Sequence, residues 1–196
     1  MNGNTPSEGD PEIRNVAMEL FKERSVQTGI SPRQLAIECF RDATAFCEVA
    51  DEVSAELDFF EANWPGSLPD GVIHADLFKD NVLMDGDRIA GFIDFYYACN
   101  DILLYDVAIA LNDWTRLEDG SIDAQLAAAF LAGYQSVRTL TAEEKKAWPV
   151  MLRAAALRFW TSRLLDLYQP MDGELTYTKD PKVFQRLVEA HRQRSD

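Results

Sequence analysis

The chain has 196 residues, 47% of them apolar and 27% charged, with a formal net charge of −14. That length fits one domain, or one domain with an appendage, and the apolar share is enough to bury a core. The acidic balance excludes nucleic acid and anionic membrane as partners, but not a phosphorylated ligand whose charge a divalent cation neutralises. Cys39, Cys47 and Cys99 show no paired spacing, which points to reduced thiols and not to disulfides or a zinc site. No signal peptide or long apolar run stands out, so a cytoplasmic location is expected.

Met1 to Gly9 is polar and reads as a disordered tail. Asp10-Pro11 opens a helix in which Ile13, Val16, Ala17, Leu20 and Phe21 recur at helical spacing, and Gly29 stops it. Ser31-Pro32-Arg33-Gln34 is a capping box for a second helix, with Leu35, Cys39, Ala43 and Phe46 as its apolar stripe. A third helix turns Val53, Leu57 and Phe60 inward until Asn63-Trp64-Pro65-Gly66 breaks it.

The stretch from Val72 to Asp94 carries the chemistry. His74, Asp76, Leu77 and Asn81 fit H-x-D-L-x-x-x-N, the catalytic-loop spacing of kinase-type phosphotransferases. Phosphoryl transfer needs a carboxylate to accept the hydroxyl proton and a cation to neutralise the phosphates. Asp76 is placed for the first task. Asn81 and Asp94 offer oxygen ligands to a hard cation such as Mg²⁺. Asp85-Gly86 is a turn signal between two apolar runs, so a hairpin there brings Asp94 back beside Asn81. His74 reads as a structural residue of the loop. Asp80 and Asp87 read as turn residues.

Beyond the hairpin, Asn100-Asp101 is expected to cap a helix running to about Trp114, with Val107, Ala108, Leu111 and Trp114 in the core. Ser121 is expected to cap a helix from about Ile122 to Val137. Thr141-Ala142-Glu143-Glu144 forms a capping box for a helix that Pro149 kinks or splits. The apolar run from Val150 to Tyr168 is interrupted by Arg153, Arg158 and Arg163. Asp180-Pro181 opens a last helix ending near Arg192.

These residues carry a resemblance. Gly71 to Phe78, Ile93-Asp94-Phe95-Tyr96, Leu103 to Trp114, Leu157-Arg158-Phe159-Trp160 and Lys179-Asp180-Pro181 resemble the C-terminal lobe of bacterial homoserine kinases, in the aminoglycoside-phosphotransferase and choline-kinase superfamily. The resemblance runs from about Phe40 to the C-terminus. It implies Asp76 as catalytic base, Asn81 and Asp94 as Mg²⁺ ligands, and His74 and Asp106 as supports of the catalytic loop. It further implies ATP as phosphoryl donor, L-homoserine as acceptor and a place in threonine biosynthesis. One departure from protein kinases is that Phe95-Tyr96, not Phe-Gly, follows Asp94.

The expected fold is therefore mostly helical with a short β-hairpin, the C-terminal lobe of a protein-kinase-like fold. Residues 1–39 are an N-terminal helical segment of unknown affinity, and residues 40–196 are the kinase-like lobe. The N-terminal lobe of such an enzyme supplies a glycine-rich loop and a strand lysine. Neither is found before Phe60, and Lys22 lies on a charged helix face, so the N-lobe is expected to be absent and turnover by this chain slow.

For the acceptor, Arg158 and Arg163 are candidates to hold a carboxylate, with pairing to Asp106 or Asp113 as the alternative. Tyr96, Tyr97 and Trp114 either line the pocket or join the core. Competing functions are a related kinase acting on choline, an amino sugar or methylthioribose, and a non-catalytic oligomerising or regulatory remnant. Uncovered apolar surface is expected to be covered by the first helices or by a second chain, and a homodimer is the favoured assembly.

Overall fold

The computed structural model describes residues 50–168 and 180–195. The expectations for the tail, for the helices between Asp10 and Phe46, for Lys22, Cys39 and Cys47, and for residues 1–39 as a unit lie outside the described residues.

Helix α1 (Ala50–Asn63) buries Val53, Leu57 and Phe60, one turn apart, as their spacing predicts. Two short sheets follow. Strand β1 (Asp70–Ile73) leads into the loop at 74–78 and a 3₁₀ turn, Lys79–Asn81. Strands β2 (Val82–Asp85) and β3 (Arg88–Phe92) form the expected hairpin, with Asp85 opposite Arg88 and Gly86 at φ +58°. A second 3₁₀ turn (Phe95–Tyr97) precedes strand β4 (Cys99–Ile102).

Strand β4 pairs antiparallel with β1, from Asp70 opposite Ile102 to Ile73 opposite Cys99. This corrects the expectation that Asn100-Asp101 caps a helix. Both residues lie in the strand, and the helix starts at Leu103. Asp101 Oδ1 accepts the Ile102 N–H within the strand.

The remaining elements are helices α2 (Leu103–Thr115), α3 (Ala124–Val137), α4 (Ala142–Tyr168) and α5 (Lys182–Ser195). Asp123, not Ser121, caps α3, accepting from the N–H groups of Gln125 and Leu126 at 2.8 and 3.0 Å. Ser121 bonds Asp119 instead. The capping box on α4 forms as expected. The Thr141 N–H reaches Glu144 Oε2 at 2.9 Å, and the Glu144 N–H reaches Thr141 Oγ1 at 3.1 Å. Pro149 does not split α4, which runs through it as one helix.

Helix α4 packs against α2 and α5. Leu104, Ile109, Met151, Ala155, Trp160 and Leu187 are fully buried there. The architecture is mostly helical with two small antiparallel sheets, and the loop at 74–78 crosses from one sheet to the other along α2.

Candidate active site

Asn81 meets Asp76 in the loop, and the hairpin returns Asp94 to their neighbourhood. Asn81 Nδ2 donates to the main-chain carbonyl of Asp76 at 2.8 Å and to its carboxylate Oδ2 at 3.1 Å. The Ile93 N–H donates to the Asn81 carbonyl at 3.0 Å. The hairpin thus returns its far end to Asn81, and Asp94 follows directly. Asp94 is close enough to Asp76 for their negative charges to repel.

The backbone is unusual at this place. Among the described residues, Ala75 and Asp94 are the non-glycine residues with positive φ, at 62° and 63°. Such conformations cost an L residue free energy and persist where the surroundings impose them, often at functional sites. Asp is one of the residue types that tolerates the left-handed region, through its short polar side chain. Ala75 has no such help.

The surroundings of the loop are ordered around Asp106. Its Oδ2 accepts the His74 N–H at 3.1 Å and its Oδ1 accepts the Ala75 N–H at 2.8 Å. His74 is buried, and its Nε2 donates to the Ile93 carbonyl at 2.9 Å, joining the loop to the residue before Asp94. The Phe95 ring lies 4.7 Å from the His74 ring, centroid to centroid. His74 Nδ1 is buried and finds no hydrogen-bond partner among the described residues.

Burial pushes the Asp76 carboxyl above its ordinary range. The positive charge of Arg158 and the hydrogen bond from Asn81 pull it back, Asp94 adds to the rise, and His74 lowers it. The result is a half-buried carboxylate with one oxygen held by Asn81. That is a fitting state for a group that takes up a proton.

The donor set also suits a hard cation. Asn81 spends its N–H groups on Asp76, which leaves its carbonyl oxygen as the atom for a ligand. Asp94 presents an exposed carboxylate. Among the described residues no group of three or more His, Cys, Asp or Glu side chains forms a metal cage. Two oxygen ligands with the remainder supplied by water and phosphate is the usual arrangement for Mg²⁺.

The sequence matches the phosphotransferase enzyme family over residues 17–140. The chain belongs to this family. It is 58% identical over 136 residues to a homoserine kinase of Methylobacillus flagellatus, covering 69% of this chain and 43% of the relative. It is 53% identical over 134 residues to a homoserine kinase of Neisseria meningitidis serogroup B, covering 68% and 44%. A homoserine kinase of Sinorhizobium medicae is 51% identical over 142 residues, covering 72% and 44%. The chain therefore spans less than half the length of these curated relatives. A solved structure of a Plasmodium vivax ethanolamine kinase superposes with a TM-score of 0.56 at 18% identity, covering 91% of this chain and 55% of that one. At that identity it speaks for the fold alone.

The other candidates fall in different places. Tyr96 is 87% exposed beside the hairpin, whereas Tyr97 is half-buried against the core. Arg163 is buried over the Phe184 ring at 4.3 Å and donates to the Asp180 carbonyl at 3.3 Å, at the start of α5. Arg158 donates to the Ala75 carbonyl and so meets the loop itself. Among the described residues no helix is long and apolar enough to cross a membrane.

Two loop contacts were not foreseen. The Lys79 N–H donates to Asp113 Oδ2 at 2.9 Å, and Trp114 Nε1 donates to the Leu77 carbonyl at 3.2 Å. Asp106 and Asp113 stand two turns apart on α2, which places them on one helix face. That face is a template for the loop backbone. Their i, i+7 spacing was the available signal, but a helix with buried acids is rarely read as a binding face for a loop.

Proposed function

We propose that this chain contributes the catalytic lobe of a homoserine kinase, transferring a phosphoryl group from ATP to the hydroxyl of L-homoserine. The observation that carries this reading is the gathering of Asp76, Asn81 and Asp94, in a chain 58% identical to a homoserine kinase over that region. Asp76 is the general base. Its carboxylate accepts the proton of the acceptor hydroxyl as the oxygen attacks the terminal phosphorus of ATP, whose bond to the bridging oxygen breaks to release ADP. Asn81 holds that carboxylate still through one hydrogen bond and steadies the loop through the other.

Asn81 Oδ1 and the Asp94 carboxylate would hold Mg²⁺, which when bound would neutralise charge on the phosphates. His74 and Asp106 support the loop through the backbone contacts described above. Tyr96, exposed beside the hairpin, is a candidate to meet the acceptor, and Arg163 is a basic candidate for its carboxylate. Ile89 and Phe92 of β3 and Phe95 of the following turn are exposed apolar side chains. They are the proposed homodimer surface, to be tested by light scattering over a dilution series.

A coupled ATP assay of the full chain with homoserine, choline, ethanolamine and an aminoglycoside tests the substrate. Homoserine should be turned over in preference to the others, and Asp76→Asn should lower the rate by about 10²–10⁴-fold. Preference for an amino alcohol lacking a carboxylate would overturn the assignment of homoserine while leaving phosphoryl transfer in place.

A further inference from the structure

Arg158 lies half-buried on α4 with its guanidinium 4.5 Å from the Phe159 ring centroid and 5.1 Å from that of Tyr97. Nη1 donates to the carbonyl oxygen of Ala75. That residue has φ of +62° and is 1% exposed. Water cannot take over a hydrogen bond in such a place, and a buried carbonyl without a donor is costly.

Ala75 is thus held from both ends. Its N–H is bound by an anion, Asp106, at 2.8 Å. Its C=O is bound by a cation. The carbonyl of Ala75 and the nitrogen of Asp76 share one rigid peptide plane. Fixing that carbonyl therefore fixes the direction in which Asp76 leaves the loop. Left alone, an alanine would relax out of the left-handed region, and the plane would turn with it.

We propose that Arg158 is a positioning residue that, together with Asp106, clamps Ala75 in its strained conformation and so aims the Asp76 carboxylate. The assignment rests on the reading of Asp76 as the base and deepens it. It takes Arg158 out of the substrate pocket and places it behind the loop. The aromatic rings of Phe159 and Tyr97 fit this role, because a planar guanidinium on such rings is held in one orientation. The Arg158 charge also counters the effect of burial on Asp76, a second way of acting through that residue.

The test compares wild type with Arg158→Ala, Arg158→Lys and the double variant Arg158→Ala with Ala75→Gly, in the full chain. Hydrogen exchange reads the clamp without any need for turnover. In Arg158→Ala the amides of His74 and Ala75 should exchange about tenfold faster or more, while those of the β2–β3 hairpin keep their rates. Arg158→Lys, which retains one donor, should restore part of the protection. In the homoserine assay Arg158→Ala should lower kcat roughly tenfold to hundredfold, the cost of a misplaced reacting group. KM for homoserine should stay within about twofold.

Glycine adopts positive φ without a clamp, so Ala75→Gly should recover part of the lost kcat in the Arg158→Ala background. Unchanged exchange at His74 and Ala75 overturns the clamp. A raised KM with kcat intact overturns it too, and returns Arg158 to the substrate. Should the wild-type chain phosphorylate nothing, the proposed reaction fails, yet the exchange comparison still decides the clamp. Should Arg158→Ala unfold, Arg158→Lys and Arg158→Gln carry the same comparison.

Discussion

Asn81 and Asp76 are joined twice: the Asn81 side-chain amide donates at 2.8 Å to the Asp76 carbonyl and at 3.1 Å to its carboxylate. One neutral side chain thereby orders the loop backbone, steadies the proposed base and keeps its own oxygen for the proposed cation. A neutral donor is suited to this. A lysine there would lower the Asp76 pKa further and compete with a metal for the same space.

Burial raises the Asp76 carboxyl above its ordinary 3.8. The folded state then holds the proton more tightly than the unfolded chain does. The ionised carboxylate therefore destabilises the fold at neutral pH, and the loss is relieved as pH falls through the raised folded value toward 3.8. Asp76→Asn, free of that charge, should unfold at a higher temperature than wild type at pH 7 without added divalent cation. The gap should close on acidification. The same variant should lose turnover by about 10²–10⁴-fold, the usual worth of a general base. Thermal melts between pH 4 and 7 and the coupled assay check both. A variant that melts lower than wild type at pH 7 would mean that the ionised carboxylate stabilises the loop.

The proposed role of Asp94 as a cation ligand predicts weak cation binding that depends on its charge. Two oxygen ligands with no phosphate present make a poor cage for a hard divalent ion. Mn²⁺ should bind the full chain weakly, ATP should tighten it, and Asp94→Asn should weaken it about tenfold or more. Paramagnetic relaxation of water during a Mn²⁺ titration measures this. Affinity unchanged in Asp94→Asn would remove it from the metal site.

The loop and hairpin were legible because their information is local. The spacing of His74, Asp76 and Asn81 and the turn at Gly86 all fall within a few residues of the groups they position. The β1–β4 pair was not legible. Asn100 and Asp101 are poor strand residues and good helix caps, and their partners Val72 and Gly71 lie far off in sequence. Tertiary pairing overrode local preference there. The start of α3 was misplaced for a similar reason. Ser121 and Asp123 can both cap, and the choice was made by the Asp123 N–H bonding Thr115 across the turn at 2.8 Å. Asp113 and Trp114 support the loop from α2, a role that no local pattern announces.

A buried ionic group ties three helices together. Glu56 on α1 is fully buried and accepts from Arg153 on α4 and Arg192 on α5, with Arg192 Nη2 at 2.6 Å from its Oε1. The Arg153 guanidinium also lies 3.7 Å from the Phe59 ring centroid. Removing the carboxylate leaves a buried guanidinium without a counter-charge. Glu56→Gln should therefore cost about 3 kcal/mol in urea unfolding. Arg192 is different, because its side chain is 39% exposed. Arg192→Ala should cost about 1 kcal/mol or less, since water replaces much of what is lost and Arg153 still neutralises Glu56. Equal losses from the two variants would show that Arg192, not Arg153, is the main partner.

Gly120 offers a sharper test of packing. It sits in the turn before α3 at φ +89°, and a Cβ there would fall 2.5 Å from Arg186 Cβ and 3.2 Å from the Arg186 carbonyl carbon on α5. Two costs add in Gly120→Ala: the left-handed backbone, about 1–2 kcal/mol, and the overlap with α5, which needs a shift of helix backbone and not of a flexible side chain. A loss of about 3 kcal/mol is expected. Gly133 is the natural control. It lies within α3, and a Cβ there would meet nothing within 4 Å. Gly133→Ala should stabilise the chain by up to about 1 kcal/mol through helix propensity alone. Urea unfolding of both variants gives the comparison. Gly120→Ala with wild-type stability would mean that the turn and α5 can move apart freely, and that the contact between them does not help hold α5 against the rest of the helical core.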